Sequence, residues 1–293
     1  MMTQQYGVLH MLPVPIAEPT GASVLPASTC QAAQGLTHFV VENARSARRA
    51  LKLLGHPGPL QDLQIAEMPT APKGVPAAPA PRWPGDPVAA AASARLGPSV
   101  NEHLDVLLAP LLQGIPMGVL SEAGCPGIAD PGAQLAAWAQ AHGVVVRAHV
   151  GPSSILLALM GSGLEGQRFA FHGYLPLETE PRLQSIRDLQ TRSAQEQATQ
   201  LFIETPYRNQ ALLSVLLGAL APDVRLCVAT DLSGADERLQ THTVAEWQGL
   251  GAELPKLPTV FALLSARPAQ PVGAAPAAAK RRRGNPSARH PHR

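Results

Sequence analysis

Cysteine is scarce: three in 293 residues, at Cys30, Cys125 and Cys227, an odd number spread far apart. That excludes a disulfide framework and fits a reducing compartment, so a cytoplasmic location is expected. None of the three stands near a histidine or second cysteine at ligand spacing, and the ten histidines do not cluster, so no metal is expected. Aromatics are only 4% of the chain. No apolar run approaches the ~18 residues of a membrane span. The start, Met1 to Tyr6, lacks the basic and apolar regions of a signal peptide. Neither a G-x-G-x-x-G fingerprint nor a Walker loop occurs, which argues against a dinucleotide or a triphosphate. The formal charge is only +2, and it is unevenly placed. Seven Lys and Arg and no acid lie from Arg267 onward, leaving 16 basic against 21 acidic residues before them. The folded body is therefore mildly acidic, and attraction to nucleic acid has to come from the tail or a local patch.

What is present centres on Gly118 to Gly132, with glycines at 118, 124, 127 and 132 and prolines at 126 and 131. Gly118 to Leu120, continuing from Ile115-Pro116-Met117, reads as a short buried strand, and Ala133 to His142 has helical spacing. Asp130 suits a helix N-cap, with Pro131 where the first turn needs no donor. Val144 to Val150 reads as a second strand, too apolar and β-branched for the surface. Strand, glycine-rich loop, helix and strand make a βαβ unit whose loop lies at the carboxyl end of parallel strands, where open α/β sheets bind ligands. A second turn of this kind follows at Gly151-Pro152-Ser153-Ser154. Together these turns offer backbone N–H groups, the Glu122 carboxylate and the hydroxyls of Ser121, Ser153 and Ser154. Ordinary turn punctuation and helix capping explain the same residues, so spacing alone leaves both readings open.

Elsewhere, Tyr6 to Leu12 is a first buried strand that ends at prolines. Thr37 to Val41 is a second, leading through Glu42 and Arg45 into a helix closed by Gly55. Residues 69–98 are rich in proline, alanine and glycine and read as a flexible insertion. Beyond Gly163 come strands at Arg168 to Tyr174, Gln200 to Ile203, Val224 to Ala229 and Thr259 to Leu264. Glu204 and Asp231 stand at equivalent strand ends. The segment 267–293 reads as a disordered basic tail.

These stretches resemble, in order, motifs of the tetrapyrrole-methylase superfamily and of its ribosomal RNA small subunit methyltransferase I family. Leu9 to Ile16 resembles the opening strand and its V-P-T-P-I-G-N turn, and Glu42 to Arg45 resembles E-D-T-R. Asn101-Glu102 resembles H-N-E, and Ser121 to Gly132 resembles S-D-A-G-T-P-x-I-S-D-P-G. Val150 to Gly163 resembles the P-G-P-S-A helix, Phe169 to Pro176 resembles F-x-F-x-G-F-L-P, Glu204 to Arg208 resembles E-S-P-H-R, and Ala229 to Ser233 resembles A-R-E-L-T.

The resemblance implies two α/β domains, 6–163 and 164–266, in a homodimer, with S-adenosyl-L-methionine in the cleft between them. It implies 2′-O-methylation of a cytidine in small-subunit rRNA, with the small ribosomal subunit as partner. The methyl donor would lie against Pro15, Ser121, Glu122, Ala123, Gly124, Ile128, Ser153, Ser154, Ile203 and Ala229. Glu42, Glu204 and Asp231 are the candidates for a base. Departures mark a divergent member: Ala17-Glu18 replaces Gly-Asn, Glu122 replaces Asp, Thr230 replaces a basic residue, Gly234 replaces Lys, and Pro255 to Pro258 replaces K-G-E. Two other readings stay open, a methylase of a tetrapyrrole-like small molecule and a non-catalytic scaffold on the same fold.

Overall fold

The computed structural model describes residues 5–17, 21–68 and 97–266. Glu18, most of the expected insertion at 69–98 and the basic tail at 267–293 lie outside the described residues. Gly97 and Pro98 already belong to a helix.

The first half builds a five-stranded sheet from β1 (Val8–Met11), β2 (His38–Val41), β3 (Gln64–Glu67), β4 (Met117–Leu120) and β5 (Val145–Ala148), in the order β3-β2-β4-β1-β5 and parallel throughout. Alternate side chains leave a strand on opposite faces. Leu9, Met11, Val40, Met117 and Val119 therefore pack on α3 (Gly97–Leu112) and α4 (Gly132–Ala141). Leu12, Phe39, Val41 and Leu120 pack on α1 (Ala27–Gln34) and α2 (Ala44–Leu53). Helices on both faces explain the continuous apolar runs of the central strands.

Val144 to Val150 corrects the expectation of a strand too apolar for the surface. β5 is the sheet edge, Val145 is 59% exposed and Val150 72% exposed. A β-branched run favours extended backbone wherever it lies, so strand propensity was legible and burial was not. The β4–α4–β5 unit is parallel as expected, with β1 lying between its two strands.

The second half builds a mixed sheet from β6 (Phe169–Tyr174), β7 (Thr199–Glu204), β8 (Arg225–Thr230), β9 (Arg238–Thr243) and β10 (Thr259–Leu264), in the order β6-β7-β10-β8-β9. β6 and β7 are parallel, while β10 runs antiparallel to both its neighbours. One face, with Phe202, Leu226, Val228, Phe261 and Leu263, is covered by α6 (Thr179–Glu196), α7 (Asn209–Ala219) and α8 (Val244–Leu250). The other face carries Leu201, Cys227, Ala229, Val260 and Ala262 against Ile155, Ala158 and Leu159 of α5 (Ser154–Ser162). Thus α5, which precedes Gly163 in the chain, packs on the second sheet. The loops that end β4 and β5 are thereby brought against the strand ends of that sheet.

Candidate functional site

All five strands of the first sheet are parallel, so their carboxyl ends share one edge, and the chain leaves β1 through a proline-rich turn and β2, β4 and β5 through polar or glycine-containing ones. The turns are tied to one another. Val14, just past β1, donates to the Gly124 carbonyl at 2.9 Å, and Gly124 donates back at 3.2 Å. Gly124 has φ +73°, and a Cβ there would stand 3.2 Å from Ile16 Cγ2, so glycine suits this crossing. Ser121 donates to the carbonyls of Ala123 and Gly124 at 3.2 and 3.4 Å. Glu42, at the end of β2, accepts from the Glu122 N–H at 3.1 Å. Cys125 Sγ lies 3.3 Å from the Pro152 carbonyl. Asp130 Oδ1 accepts from Gly127 and Gly132 at 2.8 and 2.6 Å. It caps the start of α4 from one residue further out than the helix boundary, within the usual play of such boundaries.

Between this edge and the second sheet lies a cavity of about 410 Å³, in the range of small-molecule and cofactor sites. The first-sheet turns contribute Ile16, Glu42, Ser121 to Cys125, Ile128 to Asp130 and Ser153 to Ile155. The second sheet contributes Tyr174, Ile203 to Pro206, Ala229, Asp231, Leu232 and Pro258 to Val260. Of the thirteen residues singled out from the sequence, all but Pro15 line this cavity. Pro15 lines an adjoining cavity of about 390 Å³ with Ala17, Ser46, Arg49, Ala50 and Leu53, and the two spaces share Ile16, Glu122 and Ala123.

Among the lining residues not singled out from the sequence, Thr259, Tyr174 and Asp130 have definable reasons. Thr259 opens β10, and since β10 is antiparallel its amino end comes level with Glu204 and Thr230. A rule that searches only carboxyl ends misses it. Tyr174 was visible as the last residue of β6 but carried no acid or hydroxyl-cluster signal. Asp130 was read only as a cap, yet it lines the cavity, and its second oxygen is buried without a partner.

The carboxylates differ in state. Burial pushes the Glu42 carboxyl up, more than the Glu122 N–H pulls it down, and Asp130 and Glu122 add to the rise. Burial also raises Asp130 against the N–H bonds of Gly127, Gly132 and Ile128. At Glu204 burial pushes upward too, but bonds from Arg208 at 2.6 and 2.9 Å and from Thr205 N–H at 2.6 Å outweigh it and hold this carboxyl low. Asp231, at φ +50°, accepts from Asp236 N–H at 2.9 Å. Among the described residues no group of three or more His, Cys, Asp or Glu is placed to hold a metal ion, and no helix is long and apolar enough to cross a membrane.

The two facing sheets and the cleft between them define an α/β protein with the tetrapyrrole-methylase fold. A solved diphthine synthase superposes with a TM-score of 0.56 over 88% of this chain and 90% of that one, at 12% identity. No family model matches the chain. By sequence the chain is related to proteins named ribosomal RNA small subunit methyltransferase I. It is 36% identical to that of Synechocystis sp. over 138 residues, 47% of this chain and 48% of the relative. It is 32% identical to that of Vibrio cholerae over 146 residues, 50% and 49%, and 33% identical to that of Mesorhizobium japonicum over 138 residues, 47% and 46%. The chain spans about half the length of the curated relatives it matches.

Proposed function

We propose that this protein is an S-adenosylmethionine-dependent methyltransferase whose acceptor is RNA: its relatives' name favours small-subunit rRNA, and the motif resemblance favours the 2′-hydroxyl of a cytidine. The observation that carries the reading is the inter-sheet cavity: its size, and a lining of opposite chemical character at its walls. Ile128, Ile155, Ile203, Ala229 and Val260 offer an apolar surface for an adenine ring. Glu42, Glu122 and Asp130 offer negative charge to a cationic amino-acid and sulfonium group, and Ser153 and Ser154 offer hydroxyls. The donor set therefore fits the cofactor.

When bound, the cofactor supplies an electrophilic methyl group on a positively charged sulfur. The chain's own work is to place an acceptor hydroxyl in line with that methyl and to accept its proton, and positioning of this kind supplies a large part of the effect. Glu42 is the base we favour. Its raised pKa brings it nearer to the operating pH, where a general base is most effective, whereas Glu204 is held low by Arg208. The carboxylates of Glu42, Glu122 and Asp130 also favour the positive charge of the donor before transfer. The assembly we expect is a homodimer.

Calorimetric titration with S-adenosylmethionine, followed by transfer of labelled methyl to isolated small ribosomal subunits, tests the proposal. Micromolar binding with transfer to RNA supports it. Binding with transfer only to a small-molecule acceptor replaces the substrate class, and no binding by the folded protein sinks the methyltransferase reading.

A further inference from the structure

The helix α2 carries Arg45, Arg48, Arg49 and Lys52 and no acid in ten residues. At about 100° per residue, these four cations occupy an arc of roughly 100° on one side of the helix, and all four are exposed. Ala47 and Leu51 lie on the opposite side, buried against the first sheet. The arc between these two faces, Ser46, Arg49, Ala50 and Leu53, forms a wall of the adjoining cavity, which shares Ile16, Glu122 and Ala123 with the main one. Arg49 stands where the cationic face meets that wall. The helix is also fixed in direction. Asn43 Oδ1 accepts from the N–H groups of Arg45 and Ser46, and Ala44 N–H donates to Glu67 at 2.6 Å. Glu42 is two residues before the first residue of the helix.

Four cations on one face are conspicuous because the chain before Arg267 is net acidic, by about five charges. A general field does not draw a polyanion to this body, whereas a local track does. We propose that this face of α2 is a phosphodiester track. A single strand of RNA lies with its backbone along Arg45, Arg48, Arg49 and Lys52 and enters through the adjoining cavity, which brings one ribose to Glu42. The inference rests on the RNA reading above. Phosphate contacts of this kind set register and orientation and carry no sequence information, so the track delivers the acceptor, and the main cavity makes the selection.

The test uses the full chain and a single-stranded RNA oligonucleotide of about 15 residues and mixed sequence, with binding followed by fluorescence anisotropy over a salt series. The variant is Arg45→Gln, Arg48→Gln and Lys52→Gln together. These are exposed positions where glutamine keeps helix propensity. Each lost phosphate contact on a single strand lowers the salt slope by about 0.7, so the triple variant lowers it by about 2 and weakens binding roughly 100-fold at 0.1 M salt. A charge-keeping variant, Arg45→Lys with Arg48→Lys, retains the slope. A second variant replaces Lys280, Arg281, Arg282 and Arg283 by glutamine. An unchanged slope in the helix variant, or a loss confined to the tail variant, overturns the proposal. Equal retention of polyglutamate of the same charge also overturns it, in favour of an acidic protein partner. S-adenosylmethionine titration of the same samples keeps the two proposals apart. Loss of RNA binding with the cofactor still bound concerns the track, and failure of the wild type to bind cofactor concerns the methyltransferase reading.

Discussion

Replacing Arg208 by methionine isolates the ion pair that makes Glu204 unlike the other carboxylates of the cavity. The Glu204 side chain is 2% exposed and that of Arg208 41%. The guanidinium donates through Nε and Nη2 to the same oxygen, at 2.9 and 2.6 Å. Methionine keeps the apolar stem and removes both arginine donors, leaving the buried carboxylate the N–H and hydroxyl of Thr205. Hydrogen bonds to charged groups contribute about 1.5–3 kcal/mol. Since the two bonds share one acceptor and the arginine is partly solvated, a single value near the lower end applies, about 2 kcal/mol at pH 7. With a urea slope of about 2 kcal/mol per molar, that moves the midpoint down by about 1 M. The sign against pH follows from the depressed carboxyl. Its stabilisation is fully present above the unfolded carboxylate value of about 4.3 and is lost as pH falls through the folded value. The two proteins therefore draw together as pH falls below about 4.3. Trp247, buried against Leu226 and Val228 of the second sheet, reports this unfolding by fluorescence in a Trp83→Phe, Trp138→Phe background. A shift below about 0.2 M at pH 7, or the same shift at pH 3.5, refutes the reasoning.

Ala123→Trp fills the shared wall of both cavities from an exposed position. It weakens S-adenosylmethionine binding at least tenfold in calorimetry while leaving the urea midpoint within error. Gly151→Ala drives a methyl into the ring of Pro13, an overpacking that costs about 1–3 kcal/mol in urea unfolding. It also displaces the turn carrying Ser153. His10 stacks on His149, with Nδ1 2.9 Å from its Nε2. Burial first, then His149 and Arg147, lower His10 to about 4. The neutral ring is thus the form the fold prefers, so stability falls as pH drops from the unfolded value of about 6.5 toward 4. An NMR titration of His10 that moves upward in His149→Gln, and a flatter acid limb of thermal stability in His10→Gln, check this. Glu42→Gln removes the proposed base, so methyl transfer falls by about 10²–10⁴, while cofactor binding, measured separately, weakens far less because Glu122 and Asp130 remain. In the wild type the acid limb of the rate lies above the ordinary carboxylate range, since this carboxyl is raised.

Much of the first sheet was legible because its central strands are buried on both faces. Such strands read as unbroken apolar runs, as in Phe39-Val40-Val41 and Met117 to Leu120, and their glycine-rich exits are marked in the sequence. The edges were not legible for the same reason in reverse. β3 is Gln64-Ile65-Ala66-Glu67 and β9 is Arg238 to Thr243, with Leu239 its single aliphatic residue. Each is held by ladder hydrogen bonds to a neighbour more than by its own burial, and backbone pairing leaves no compositional trace. β5 erred the other way, since Val145 satisfies strand geometry while facing solvent and only Val146 packs on the core.

The site divides along the same physical line. The first-sheet wall follows from parallel topology: once strands run one way, their exit turns meet, and Glu42, Ser121 to Gly124 and Ser153 come together without further information. The second-sheet wall needs the antiparallel entry of β10 to bring Thr259 beside Glu204 and Thr230, and it needs α5 to cross onto that sheet. α5 approaches closely because Cys227, Ala229 and Ala262 are small on the face it meets, and because Gly161 leaves room for Leu239. Those small residues are unremarkable one at a time. Their placement on one face, set by alternation along β8 and β10, which are neighbours in the sheet, is what lets the two sets of strand ends enclose a single cavity. Enlarging any one of them with a bulky side chain pushes α5 outward, and with it the Ser153-Ser154 turn, so the cavity wall depends also on Cys227 and Ala262, which do not line it.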